Sequence, residues 1–128
     1  MSRKTVILCQ FLVSDYFVCY SPLYEAGSHW SNLYSTNFPG NYLNSESCGL
    51  QIHSAYGVHL EIVSFYLELY DDKVKVYDGA DENAPLLATY TGQVASGKVV
   101  SSGEYLYITY NTDDWTTRSG FHMRFTSG

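Results

Sequence analysis

Two adjacent carboxylates, Asp113 and Asp114, follow an alternating apolar stretch near the C-terminal end of the chain. A polar loop comes next, and a second alternating stretch begins at Ser119. Because hard divalent cations prefer carboxylate oxygens, a loop that opens with two acids between two strands predicts a cation site at the edge of a sandwich. The alternative is that both acids are ordinary solvated turn residues.

Other side chains that could carry out chemistry lack the spacing that catalysis or zinc binding requires. His53 and His59 are six residues apart, which fits no zinc motif. The chain contains no G-x-S-x-G nucleophile elbow and no H-E-x-x-H pair. Glu61 and Glu68 could form a glycosidase pair, but nothing else in the sequence indicates a saccharide cleft. The sequence therefore predicts a protein that is not an enzyme.

The composition limits the classes of partner. The chain has 128 residues, which is enough for one domain with its own core and too few for two. Its net charge is -6, with only 7 Lys and Arg against 13 Asp and Glu. Because nucleic-acid binding needs clustered Lys and Arg to displace phosphate counterions, the charge excludes a nucleic-acid partner and favours cations or basic partners.

Alternating apolar and polar residues predict the elements that position these acids. Turn signals separate short stretches rich in Tyr, Val and Ile, and no stretch has a convincing helical pattern. We therefore predict an all-β fold, an antiparallel β-sandwich. The predicted strands are Asn32–Ser35, Gly49–Ser54, Val58–Leu69, Lys73–Tyr77, Leu86–Thr91, Gly97–Val100, Tyr105–Asn111 and Phe121–Thr126. The predicted core residues are Leu60, Ile62, Phe65, Leu67, Val74, Val76, Leu106, Ile108, Phe121 and Phe125.

The N-terminal segment has features of a secretory signal. Arg3 and Lys4 supply positive charge, and Thr5–Val13 is mostly apolar. This apolar run is far shorter than the roughly 20 residues that span a membrane, so it predicts no membrane span. We predict that residues 1–18 are a secretory signal or an irregular segment and that residues 19–128 form a single domain. An extra strand or an artefact of the gene model is the alternative.

Three cysteines give an odd count. Cys9 lies inside the segment that signal cleavage would remove, which leaves Cys19 and Cys48. One pair in a small secreted domain predicts a disulfide, and closing a loop of about 30 residues would stabilise the fold by roughly 3–4 kcal/mol. The alternative is three reduced thiols in a cytosolic protein.

Several segments, taken in order along the chain, resemble the CUB domain, an extracellular β-sandwich of the jelly-roll type. They are Ser35-Thr36-Asn37-Phe38-Pro39 leading to Tyr42, Cys48-Gly49-Leu50-Gln51-Ile52, the apolar strand that ends in Glu68, Asp72-Lys73-Val74-Lys75-Val76-Tyr77-Asp78-Gly79, and Asn111-Thr112-Asp113 through Gly120-Phe121. The resemblance extends from Trp30 to Phe125. It implies a secreted module that binds other molecules and has no catalytic activity.

One departure from the family pattern lies next to the acidic residues. CUB domains usually carry a second disulfide, which joins the loop before the Asp-x-Val segment to a downstream Cys-Gly pair. Here that loop is shortened to Leu69-Tyr70-Asp71, and Thr91-Gly92 stands where Cys-Gly would. Both halves of the bridge are absent together, which indicates that this disulfide has been lost. The short loop also brings Glu68 and Asp72 closer along the chain.

The resemblance implies a calcium site whose side-chain ligands are Glu68, Asp72 and Asp113. It also implies that Tyr42 braces one carboxylate through its hydroxyl, and Thr116 stands where the family often has a polar loop residue. Three carboxylates without a nearby lysine repel one another, and a divalent ion removes that cost. Calcium takes six to eight oxygen ligands, which suits acids supplied by separate loops.

Three carboxylates exceed the two charges of the ion, and the resemblance implies an extracellular protein partner that inserts a Lys or Arg beside it. Asp114 and Trp115 are the expected partner contacts, since Trp is enriched at interface hot spots. The alternative for Trp115 is that its ring packs across the end of the sandwich. Two other functions remain. One is a fragment or appendage of a secreted protease, and the other is a stand-alone protein resembling spermadhesins that binds carbohydrate.

Overall fold

The computed structural model of the protein describes residues 15–128, and Cys9 and the apolar run of the predicted signal lie outside the described residues. Within this range the chain forms ten strands and no helix, so no described helix could span a membrane. The strands are β1 Asp15–Phe17, β2 Leu23–Glu25, β3 Ser31–Tyr34, β4 Ser47–His53, β5 Val58–Tyr66, β6 Lys73–Tyr77, β7 Leu86–Tyr90, β8 Lys98–Val100, β9 Tyr105–Asn111 and β10 Gly120–Ser127.

Two five-stranded sheets form the sandwich, which confirms the predicted fold class. The strand order is β1-β3-β10-β5-β8 in one sheet and β2-β4-β9-β6-β7 in the other. Most neighbours are antiparallel, but β1 pairs in parallel with β3, and β2 pairs in parallel with β4. The first four strands alternate between the two sheets, so β1 and β3 are neighbours in one sheet and β2 and β4 in the other. The two strands of each pair run in the same direction. Both sheets are therefore mixed rather than purely antiparallel.

Inward-facing side chains of both sheets form one core, and all ten predicted core residues are buried. At its centre Phe65 of β5 stacks on Phe121 of β10, with ring centroids 5.7 Å apart. Tyr110 of β9 meets Phe121 edge to face at 5.6 Å. Burying each large apolar side chain contributes roughly 1.5–3 kcal/mol. The contact between Tyr110 and Phe121 joins the two sheets near the end of β9.

The first described residues belong to the sandwich. Strand β1 pairs with β3, and Val18 is fully buried. A disulfide joins Cys19 to Cys48, with Cα atoms 5.2 Å apart, as the cysteine count predicted. The disulfide links the connection between β1 and β2 to strand β4. The boundary after residue 18 remains a prediction, and the structure shows that Asp15–Phe17 lies in the same fold.

Candidate metal centre

Strand pairing brings the predicted acids to one end of the sandwich. Strands β6 and β9 are antiparallel neighbours, and Lys73 at the start of β6 lies opposite Asn111 at the end of β9. The residue before β6 and the residues after β9 therefore lie at the same end of the sheet. The backbone N–H of Asp113 donates a hydrogen bond to Oδ1 of Asp72 at 2.9 Å. The loop after β5 reaches the same place, since the N–H of Asp72 donates to the carbonyl of Glu68 at 3.2 Å.

Asp72 is fully buried and has a hydrogen bond on each oxygen. Besides the bond from Asp113, its Oδ2 accepts a hydrogen bond from the Tyr42 hydroxyl at 2.5 Å. The Tyr42 oxygen in turn accepts the N–H of Glu68 at 2.9 Å. Burial raises the pKa of Asp72, and the hydrogen bond from Tyr42 acts in the opposite direction. Tyr42 thus lies where the resemblance placed it, as a brace on one carboxylate.

Three carboxylates converge above Asp72. Oxygens of Glu68, Asp71 and Asp113 all lie within 4.8 Å of one another. One calcium ion contacts oxygens at about 2.3–2.6 Å, so two ligands on opposite sides of it are separated by about twice that distance. The spacing of the three carboxylates therefore fits a single ion. Within residues 15–128, none of the three forms an ion pair with a Lys or Arg.

One carboxylate oxygen of Glu68 has no hydrogen-bond partner among the described residues. This oxygen, Oε1, is shielded from solvent. Burial raises the pKa of Glu68, and the charges of Asp113 and Asp72 add to that effect. The nearby Thr116 side chain acts in the opposite direction and lowers the pKa of Glu68. A shielded oxygen without a partner is costly, and a bound cation would satisfy it.

The loop after β9 presents its other residues to solvent. The Trp115 side chain is 76% exposed, so it does not pack across the sandwich end. Its backbone N–H donates to Oδ1 of Asp113 at 3.1 Å, which orients that carboxylate. Asp114 turns away toward the Ser45 hydroxyl, with which it forms a hydrogen bond. Trp115 therefore lies exposed next to the carboxylates, whereas Asp114 is already engaged.

Two residues of this region, Asp71 and Thr91, were not predicted from the sequence. Asp71 is exposed and belongs to the carboxylate group, and its only signal in the sequence was its position beside Asp72. The hydroxyl of Thr91 accepts the N–H of Tyr70 at 2.8 Å and donates to the carbonyl of Asp72 at 2.7 Å. Thr91 also lies 3.3 Å from the carbonyl of Glu68. Its hydroxyl thus connects the two sides of the loop at the position of the missing Cys.

Comparisons with known proteins identify the same fold. The family profile of the CUB domain matches residues 24–125. Zinc metalloproteinase nas-39 of Caenorhabditis elegans is 29% identical over 84% of this chain and 12% of that protein. Neuropilin-1a of Danio rerio is 34% identical over 73% of this chain and 11% of that protein. The chain therefore spans about a tenth of the length of the curated relatives it matches.

A solved structure of similar fold contains calcium. The crystal structure of the MASP-1 CUB2 domain bound to Ca2+ superposes with a TM-score of 0.69, covering 85% of this chain and 100% of that one, at 15% identity. At this identity the similarity establishes the shared fold.

Proposed function

The chain belongs to the CUB domain family, and on that premise we propose that it is an extracellular, calcium-dependent module that recognises a basic side chain of a protein partner. A CUB domain is a non-catalytic module that mediates protein interactions. The disulfide between Cys19 and Cys48 supports an oxidising, extracellular location. The calcium ion and the basic side chain are the specific parts of the proposal.

The observation that carries the proposal is a group of three carboxylates with which no Lys or Arg of the described residues forms an ion pair. Glu68, Asp71 and Asp113 lie within 4.8 Å of one another, and Oε1 of Glu68 is shielded without a hydrogen-bond partner. Like charges at this distance raise one another's pKa unless a cation neutralises them. Calcium matches the donor set, which consists of hard carboxylate oxygens from two loops. When bound, the ion supplies charge neutralisation and fixes the carboxylates in position.

The charge balance favours a basic partner. The carboxylates of Glu68, Asp71, Asp72 and Asp113 carry more negative charge than one calcium ion neutralises. An occupied site therefore keeps a negative face whose oxygens are held in place. A Lys or Arg can donate charge-assisted hydrogen bonds to such oxygens, and these are stronger than contacts with mobile surface acids. The exposed ring of Trp115 offers an apolar surface beside this face for the methylene stem of the partner side chain.

Calcium titration calorimetry tests whether the chain binds calcium at this site. Wild type is expected to give saturating heat at one ion per chain, and Asp113→Ala is expected to lose it. Glu82→Ala is the matched control, because Glu82 is an exposed acid in the turn between β6 and β7. Absence of heat from wild type at about 10 mM calcium, well above the range of extracellular modules, contradicts the proposal. Equal heats from wild type and Asp113→Ala also contradict it.

Nuclear magnetic resonance with a short peptide tests whether the calcium-bound site recognises a basic side chain. A Gly-Lys-Gly peptide is expected to shift the Trp115 indole signal and the amide signals of the following loop in calcium, and not in chelator. Gly-norleucine-Gly is the control, because it has the same stem without the charge. Equal shifts from both peptides, or shifts that persist in chelator, contradict recognition of a basic side chain through the ion.

A second role rests on one comparison. The relative nas-39 is a zinc metalloproteinase, and the present chain spans 12% of it. We propose as the alternative that this domain is an appendage that positions substrates for a secreted protease, in which case the catalytic residues lie outside residues 1–128. The sequence of the full gene product distinguishes the two roles, since a zinc-binding H-E-x-x-H motif on the same chain favours the appendage.

A further inference from the structure

We propose that a groove beside the end of β5 binds the C-terminal carboxylate of a peptide whose last side chain is apolar. The groove has a volume of about 530 Å³, within the roughly 300–1,000 Å³ that is typical of small-ligand sites. Residues 63–66 of β5, residues 93–95 and the Ser119-Gly120 pair line it. None of these residues belongs to the group of carboxylates at the end of the sandwich, so the proposed binding does not require calcium.

An extra residue in β5 shapes one side of the groove. Ser64 lies opposite His122 of β10 and Ile62 lies opposite Met123, so Val63 between them has no partner in β10. Such a bulge interrupts the alternation of side chains along the strand, and Val63 and Ser64 are both exposed. An apolar side chain and a hydroxyl therefore lie next to each other in the lining of the groove.

The chain between β7 and β8 forms the opposite side. The N–H of Val94 donates a hydrogen bond to the carbonyl of Phe65 at 3.1 Å, and the N–H of Ile62 donates to the carbonyl of Gly97 at 2.9 Å. These two bonds fix the segment against β5, and Ala95 lies between them. Because this side is held by the backbone of β5, the groove exists before any ligand enters it.

Arg118 supplies a positive charge beside the groove. Its guanidinium carbon lies 5.6 Å from the ring centroid of Tyr66, one of the lining residues. Its Nη1 donates a hydrogen bond to the carbonyl of Thr117 at 3.0 Å. Arg118 is half-buried, and none of the ion pairs among residues 15–128 includes it. The guanidinium is therefore held in place by a ring and a backbone group, and its charge has no acid to balance it.

These charges and donors match a carboxylate. A planar guanidinium can donate two parallel hydrogen bonds to the two oxygens of a carboxylate. The hydroxyls of Ser64 and Ser119, both exposed, are neutral donors in the same groove. One positive charge with neutral donors suits a ligand with a single negative charge, and the net charge of -6 on the chain disfavours a polyanion.

The apolar part of the lining favours the end of a peptide over an acidic side chain. Val63 and Ala95 lie in the same small groove as Tyr66, so the ligand needs an apolar group close to its carboxylate. In a C-terminal residue such as leucine, the carboxylate and the apolar side chain are attached to the same Cα. In Asp or Glu, the carboxylate takes the place of the apolar group. The amide of Gln93 can donate and accept hydrogen bonds, as a peptide group of the ligand requires.

Peptide titrations followed by nuclear magnetic resonance test the proposal, in excess chelator so that the calcium site takes no part. The probe is N-acetyl-Gly-Leu with a free carboxylate, and the control is the same peptide as its C-terminal amide. The carboxylate peptide is expected to shift the amide signals of Ser64 and Ser119 in a saturable way. It should bind at least about tenfold more tightly than the amide peptide, because a hydrogen bond to a charged group contributes more than one to a neutral group.

Variants of Arg118 test its part in binding. Arg118→Gln is expected to bind the carboxylate peptide at least about tenfold more weakly than wild type and to bind the amide peptide equally. Arg118→Lys keeps the charge without the planar fork, and its affinity should lie between those of wild type and Arg118→Gln. Lys75→Gln removes the same charge from β6 of the other sheet and is expected to match wild type with both peptides.

Four results would overturn the proposal. They are equal affinities of wild type for the two peptides, no saturable shift at about 10 mM peptide, an unchanged affinity in Arg118→Gln, and an equal loss in Lys75→Gln, which would trace the effect to net charge. Tighter binding of N-acetyl-glutamic acid α-amide than of N-acetyl-Gly-Leu would show that the groove takes an acidic side chain instead. Because every titration is done in chelator, each of these results is independent of whether the chain binds calcium.

Discussion

Two glutamates on the same stretch of chain, Glu61 within β5 and Glu68 just after it, have opposite electrostatic surroundings. Oε1 of Glu61 accepts a hydrogen bond from Nη2 of Arg124 at 2.8 Å, and Nζ of Lys98 lies 3.6 Å from its Oε2. The hydrogen bond from Arg124 lowers the pKa of Glu61. Glu68 has no such partner among the described residues, and burial together with the charge of Asp113 raises its pKa.

This difference indicates which acids the chain neutralises itself. On the outer face of the sheet, Arg124 forms an ion pair with Glu61, and its guanidinium carbon lies 4.2 Å from the ring centroid of Trp30. The charges there are therefore balanced within the protein. At the end of the sandwich the carboxylates converge without a protein cation. A cation from solution would balance them, which is the physical basis of the proposed calcium site.

Removal of the Tyr42 hydroxyl is expected to have the largest effect, because that oxygen connects Asp72 with the backbone of Glu68. Tyr42→Phe leaves a buried carboxylate with one donor fewer and the N–H of Glu68 without its acceptor. We expect the free energy of unfolding in chelator to fall by about 1–3 kcal/mol. Urea denaturation measures it, with Tyr56→Phe as the control, since Tyr56 is 82% exposed. Equal stability of the two variants would contradict the role of Tyr42.

Removal of the Thr91 hydroxyl is expected to have a smaller effect. Thr91→Val keeps the shape of the side chain and removes the bonds to the N–H of Tyr70 and the carbonyl of Asp72. Since the N–H of Tyr70 is exposed and can bond to water instead, we expect a loss of only about 1 kcal/mol in stability and weaker calcium binding. The matched control is Thr89→Val, because Thr89 is an exposed threonine on β7, two residues before Thr91. An unchanged calcium affinity in Thr91→Val would show that Thr91 does not support the loop between Glu68 and Asp72 at the site.

Most of the fold could be predicted from the sequence, because its strands alternate strongly. The eight predicted strands all occur, and the four longest of them supply most of the core. Strands β1 and β2 were missed, because each has only three residues and lies at a sheet edge, where the burial pattern has no room to repeat. Their parallel pairing depends on how the chain alternates between sheets, which no local pattern encodes.

The candidate site was predictable only in outline. The order of Glu68, Asp72 and Asp113 along the chain indicated three acids at strand ends. Strand pairing brought them to one end of the sheet. Which of two adjacent acids faces solvent depends on the backbone conformation of Tyr70, and its positive φ is not apparent from residue type. The role of Thr91 could not be predicted either, because its partners are backbone groups about 20 residues away in the chain.

The smallest expected effect concerns a second group of acids that the protein neutralises itself. His53 lies between two glutamates: Nδ1 is 2.8 Å from Glu25 and Nε2 is 2.9 Å from Glu104. The hydrogen bond with Glu25, followed by that with Glu104, raises the pKa of His53 above 6.5. Because the folded protein binds this proton more tightly, the stabilisation is fully present below the unfolded pKa. It is lost as the pH rises through the higher folded pKa.

The variant His53→Gln is expected to remove this pH dependence. Urea denaturation in chelator between about pH 5 and pH 9 should show wild type more stable than the variant at low pH, with the two curves converging as the pH rises through the folded pKa. The effect is expected to be small, since these ion pairs are exposed to solvent. A difference between the two proteins that grows with rising pH would contradict the sign of the shift.

The most direct test of the calcium site is the melting temperature of wild type, Glu68→Gln and Glu61→Gln, each measured in calcium and in chelator. Ligand binding to the folded state stabilises it by about 2.7 kcal/mol at one hundred times the dissociation constant, so calcium should raise the melting temperature of wild type. Glu61→Gln should show the same rise, because its carboxylate already has Arg124, and Glu68→Gln should show little or none. An unchanged melting temperature of wild type in calcium, or an undiminished rise in Glu68→Gln, would contradict the account.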